Sequence, residues 1–187
     1  SFKVLYHMLN LLKSYKFKLK KSSSAKPQFF RLRPPNFPTI RLSQIVSLYH
    51  KHDNLFAEIL KAEDFNEYKK IFKVSVTEYW KTHHSFDTSH SLRQKGLSEK
   101  FIDLVIINTV APLLFIYNQK LGKSVEDVLN LMSFLPPEIN TIVKTFNEMR
   151  KNVGSNAMDT QALLQLKQKY CDNVQCLNCE LGLKIVK

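Results

Sequence analysis

The sequence predicts an all-α protein, an irregular array of roughly seven or eight helices around a buried central helix at about residues 98–119. Three observations carry that expectation. Apolar residues recur at helical spacing through most of the chain. Only 4 Gly are present, too few for the many tight turns of an all-β fold. Thirteen Phe and 7 Tyr supply the large side chains that helix packing uses. At 187 residues and 44% apolar, the chain is long enough to bury one sizeable core without disulfide or metal staples, so residues 1–187 read as a single helical domain.

Taken in order, Val4, Leu5, Met8, Leu9, Leu11, Leu12 and Tyr15 predict a first helix over residues 2–19 with lysines on its outer side. The stretch KKSSSAKPQFFRLRPPNFP then forbids a continuous helix and reads as exposed loop followed by extended chain. Pro38 restarts the helix at a first-turn position, where its missing N–H is harmless. Ile45, Val46 and Tyr49 predict a core-facing stripe, and Asp53 and Asp64 are placed to cap two short helices. FKVSVTEYW alternates like a strand, but one strand has no partner, so an irregular or helical turn is expected. Residues 83–96 read as polar loop. Ser98 is placed to cap a long apolar helix that Pro112 kinks. Ser124 and Asp127 open the next helix, Pro137 the one over 138–151, and Asp159 caps one reaching about Tyr170. Asp103, Asn108 and Pro112 interrupt the apolar run 101–117, which therefore reads as a buried helix and not as a membrane span.

The net charge of +12 raises the expectation of an anionic partner, nucleic acid or a membrane surface, against the plainer reading of a solvated face. Much of the surplus lies early, in Lys13, Lys16, Lys18, Lys20, Lys21, Lys26, Arg31, Arg33 and Arg41. Three Cys, all after residue 170, build no disulfide framework and point to a reducing, cytoplasmic setting. Lys3 and His7 interrupt the apolar N-terminal stretch, so no signal peptide is expected. A first residue of Ser in place of Met suggests a piece of something longer.

Three constellations carry candidate chemistry. Cys171, Cys176 and Cys179 are spaced C-x4-C-x2-C, matching three ligands of one iron–sulfur pattern without its fourth Cys; zinc or an iron–sulfur cluster completed by a distant histidine stands beside simple thiol packing. Glu78, His83, His84, Asp87 and His90 gather ligand and base chemistry within TEYWKTHHSFDTSH, but match no metalloprotease spacing and read as a polar loop. Tyr79 and Trp80 in that segment read as core anchors. Arg31, Arg33 and Arg41 flank a proline-stiffened segment with Phe29, Phe30 and Phe37, a pattern that binds phosphate and stacks on bases, or else pins the loop to the helices. No glycine-rich phosphate loop, nucleophile elbow or Ser-His-Asp order occurs, so catalysis within this chain is not expected.

Together, RLRPPNFPTIRLSQ, YWKTHHSF, IINTVAPLLFIYN, LPPEIN and SNAMDTQALLQLKQKYCDNVQCLNCELG resemble the C-terminal half of a domain-of-unknown-function family from Bacteroidetes-type bacteria. The resemblance implies a bacterial protein about twice this long, with a β-rich N-terminal half similar to nuclease cores of the restriction-enzyme type. It further implies that the cysteine tail is part of the family ending.

Three readings follow. A helical module contacts nucleic acid through Arg31, Arg33 and Arg41; a domain binds metal or a cluster through the cysteine tail; or a structural domain docks on the missing N-terminal half. None of them involves a membrane.

Overall fold

A computed structural model of the chain describes residues 32–86 and 88–186. The predicted helix 2–19, Phe29, Phe30, Arg31 and Asp87 lie outside them. The described residues are all-α: nine helices, short 3-10 turns and one isolated bridge between His83 and Ser89, with no strand among them. The chain divides into two compact units, Ser1–Glu58 with Lys70–Ser98, and Ile59–Lys69 with Glu99–Lys187.

In the first unit, a 3-10 turn at Pro34–Asn36 leads into α1, Pro38–Lys51, with Pro38 in its first turn as expected. The buried stripe of α1 is Ile40, Ser43, Gln44 and Leu48, while Ile45 and Tyr49 face outward. The predicted stripe is thus rotated about the helix, because Gln44 is drawn inward by hydrogen bonds to a distant loop. α2 (Leu55–Lys61) and α3 (Phe65–Phe72) cross the division between the units. Asn54 caps α2 at the Ala57 N–H, where Asp53 was expected, and Asp64 caps α3 at the Glu67 N–H as predicted.

Residues 73–77 are extended without ladder partners and bury Val74 and Val76. α4, Glu78–Thr82, follows and buries Trp80. Ile40, Val76 and Trp80 form a cluster against which Phe37 and Tyr79 pack, so Phe37 pins the proline segment to α1 and α4. Residues 83–98 then run as loop, tied back where Leu97 N–H donates to the Val74 carbonyl.

The second unit is organised by α5, Glu99–Lys120, long and apolar enough to cross a membrane by length and composition. Core helices of globular proteins pass the same test. Ile102, Ile106, Ile107, Val110, Ala111 and Leu114 form its buried stripe, while Leu104, Leu113, Phe115 and Ile116 are exposed. Residues Ile106–Val110 adopt a π turn closed by Ala111 N–H to the Ile106 carbonyl. That widened turn sits just before Pro112, which has no N–H to give the Asn108 carbonyl.

α6 (Glu126–Phe134) packs on the second half of α5, and α8 (Ala157–Gln165) packs on both α6 and α7 (Thr141–Met149). Asn140 and Asn156 cap α7 and α8 through their side-chain oxygens. The last turns are a π segment at Leu166–Cys171, a 3-10 turn at Cys176–Asn178 and α9 at Glu180–Val186.

Candidate functional site

The proline segment and the start of α1 position the arginines singled out by sequence. Arg33 is exposed, and its carbonyl accepts the Asn36 N–H at 2.8 Å to close the 3-10 turn. Arg41, one helical turn into α1, donates from Nη1 to Gln44 Oε1 at 3.1 Å and from Nη2 to Asn36 Oδ1 at 2.7 Å. The i,i+3 spacing puts Gln44 on the same face, and the 3-10 turn brings Asn36 over it. One guanidinium is thereby held in a fixed orientation.

Gln44 is buried, and its Nε2 donates to the Lys95 carbonyl at 3.0 Å across 51 residues of sequence. That bond brings the loop ending at Ser98 onto α1. Lys95 is itself only 6% exposed. Its Nζ donates to the Trp80 carbonyl at 2.6 Å, the His83 carbonyl at 2.7 Å and His90 Nε2 at 2.9 Å. The two carbonyls lie at the C-terminal end of α4, where helix geometry leaves such groups without N–H partners. Because an ammonium only donates, His90 accepts at Nε2 and turns its Nδ1 proton to the Ser91 carbonyl at 2.6 Å.

His84 stacks on His90 with ring centroids 4.0 Å apart. Its Nδ1 is buried without a hydrogen-bond partner among the described residues.

Arg41, His84, Arg93 and Lys95 line a cavity of about 200 Å³ with Asn36 and Gln44, and no Asp or Glu is among its described lining residues. Burial pulls the Arg41 guanidinium below its usual range. Burial and then Arg93 do the same to Lys95. His84 is lowered by burial, Lys95, His90 and Arg93, against a hydrogen bond to the Pro34 backbone that raises it. Burial is the first cause of all three shifts, and neighbouring cations add to it at Lys95 and His84. By contrast, a cavity of about 510 Å³ in the second unit mixes Glu63 and Asp127 with Lys123.

The remaining predicted ligands are used differently. Glu78 pairs with Lys81 at 2.5 Å, and His83 stacks on Tyr79 with centroids 4.0 Å apart while its Nδ1 meets the Tyr79 carbonyl. Cys171 and Cys176 are exposed free thiols, and Cys179 is a half-buried one. Among the described residues no group of three or more His, Cys, Asp or Glu is placed to hold a metal ion. Val174, between Cys171 and Cys176, has φ 54°, a conformation rare for a β-branched residue.

Gln44, Arg93 and Lys95 were not picked out by sequence. Their signals were slight: a glutamine three residues after Arg41, and RQK closing a polar loop. Nothing local announces that the two meet.

The family model described as "Protein of unknown function (DUF2851)" matches residues 3–141, and the chain belongs to that family. The match includes every residue lining the basic cavity and ends before the cysteine tail. No curated protein and no solved structure matches the chain.

Proposed function

We propose that this family member is a non-catalytic helical domain that contacts nucleic acid through the basic face of its first unit. One observation carries the reading: the charge is partitioned between the two units. Counted over the described residues, the unit of α1 and α4 holds 8 Lys and Arg against 3 Asp and Glu, whereas the other holds 11 against 12. The positive surplus of the described residues therefore belongs to one unit. A face kept charged only for solubility has no need of that segregation, whereas a polyanion is attracted by concentrated charge. Arg33 and Arg93, both exposed, are the direct phosphate contacts on the described part of this face.

The test is fluorescence anisotropy of labelled single-stranded and duplex oligonucleotides with the full chain, across a potassium chloride series. Binding is expected at low salt, with log affinity falling linearly against log salt by about 0.9 per phosphate contacted on duplex DNA. Arg33→Gln and Arg93→Gln should each weaken binding for every oligonucleotide sequence and flatten that slope by about 1. Unchanged anisotropy at the lowest salt would refute the reading.

A further inference from the structure

The 3-10 turn after the π segment carries a pair of thiols. Cys176 opens the turn and Cys179 closes it, its N–H donating to the Cys176 carbonyl at 3.3 Å. Positions three apart on such a turn eclipse each other, so the two side chains spring from neighbouring points of one surface. Both thiols are free, Cys176 exposed and Cys179 half-buried. The turn is braced from behind, because a Cβ at Gly182 would overlap the Cys176 carbonyl oxygen and α9 therefore packs directly on its backbone. A C-x2-C turn is the two-ligand unit from which four-thiolate zinc sites are assembled. One copy of this sequence cannot complete such a site. Its 187 residues contain 3 Cys, and among the described residues, which include all of them, Cys171 does not join the pair in a ligand group of three. The surroundings of the pair are apolar and open. Leu177, between the two cysteines, is 69% exposed, and Leu181 and Ile185, one turn apart on α9, are 56% and 82% exposed. Exposed apolar side chains grouped in this way mark a contact surface.

We propose that Cys176 and Cys179 from two copies of this chain bind one zinc ion between them, as a four-thiolate site on the axis of a symmetric dimer. Zinc takes four ligands in a tetrahedron, and a two-fold axis through a tetrahedral ion exchanges its ligands in pairs. Two copies of one C-x2-C turn meet that requirement with the same surface patch on each, as a two-fold contact demands. The four thiols give four protons to solvent as they become thiolates, and nothing is oxidised or reduced. The ligand count favours a second copy over a different protein, since doubling the pair completes the set. The same contact covers Leu177, Leu181 and Ile185, which a single side chain reaching over from elsewhere in the chain would leave in water. Neither Cys171 nor the basic residues of the first unit take part, so the inference does not rest on the nucleic-acid reading.

The test is sedimentation velocity of the full chain in a non-thiol reductant, first with a chelator and then with half an equivalent of zinc chloride per chain. A monomer is expected in chelator and a dimer with zinc, and excess chelator should restore the monomer. Cobalt(II) in place of zinc should give the visible absorption of a tetrahedral thiolate complex, at one cobalt per dimer. Cys176→Ser combined with Cys179→Ser should abolish both signals, while Cys171→Ser retains them. Serine matches the size of these exposed and half-buried thiols, so the variants are expected to fold as the parent does. Leu177→Glu should weaken the zinc-loaded dimer by about tenfold or more. A dimer of unchanged strength in that variant would overturn the assignment of the surrounding apolar surface to the contact. A chain that stays monomeric with zinc, one zinc held per chain, or a dimer that survives chelation or the double substitution would each overturn the proposal.

Discussion

At Gly96 a Cβ would stand 2.8 Å from the Val74 carbonyl oxygen, closer than side chains approach backbone. The same oxygen accepts the Leu97 N–H at 3.3 Å, so the loop carrying Lys95 is laid flat against the extended residues 73–77. Adding one methyl forces these segments apart. Gly96→Ala is therefore expected to destabilise the protein by about 1–3 kcal/mol, read as a lower urea midpoint with an unchanged slope. An unmoved midpoint would show that the loop yields freely. The scarcity of glycine was plain in the sequence, but the reason for this one is a neighbour 22 residues away. Gln44 teaches the same lesson, since its type suggests a surface and its burial follows from the Lys95 and Gly96 carbonyls that it satisfies.

Among the elements, most helices stand where periodicity and proline placed them, and the errors concern caps and faces. The sequence pointed to Asp159 as the cap of α8, whereas Asn156 caps it and Asp159 reaches back to the Ser155 N–H and hydroxyl. Several residues near a helix start have capping side chains, and only the backbone turn decides which of them is outside the helix. The bonds from Ser155 hold the Asp159 carboxyl below its usual 3.8. A lowered folded value means that this contribution is complete above the unfolded value and is lost as pH falls through the folded one. Asp159→Asn should accordingly lower the melting temperature near neutral pH, and the gap from the parent should close on acidification below about pH 4. A gap independent of pH would exclude this role. In α1 the face was misjudged because Ile45, Val46 and Tyr49 are more apolar than Ser43 and Gln44, which are buried, so periodicity gave a helix without its rotation.

For the whole molecule, charge is the property that separates the two units. If polyanions bind as proposed, ultraviolet cross-links from a photoreactive oligonucleotide should fall within residues 1–58 and 70–98 and spare 59–69 and 99–187. Cross-links spread evenly over both would sever the link between charge and binding. The total of +12 was visible from composition, and its early concentration was visible too. That Arg93 and Lys95 join the same unit as Arg33 and Arg41 was not.

What the amino-acid sequence determined alone is the set of properties that depend on near neighbours: helical class, the proline-led start of α1, and the excess of positive charge. Spacing of three or four residues and the chemistry of proline act within a turn or two of chain, so they can be read directly. Tertiary structure alone decided that Arg41, His84, Arg93 and Lys95 share one cavity, because the bond joining them, Gln44 to Lys95, spans 51 residues. Contacts of that range depend on how whole segments pack, and no local pattern encodes them.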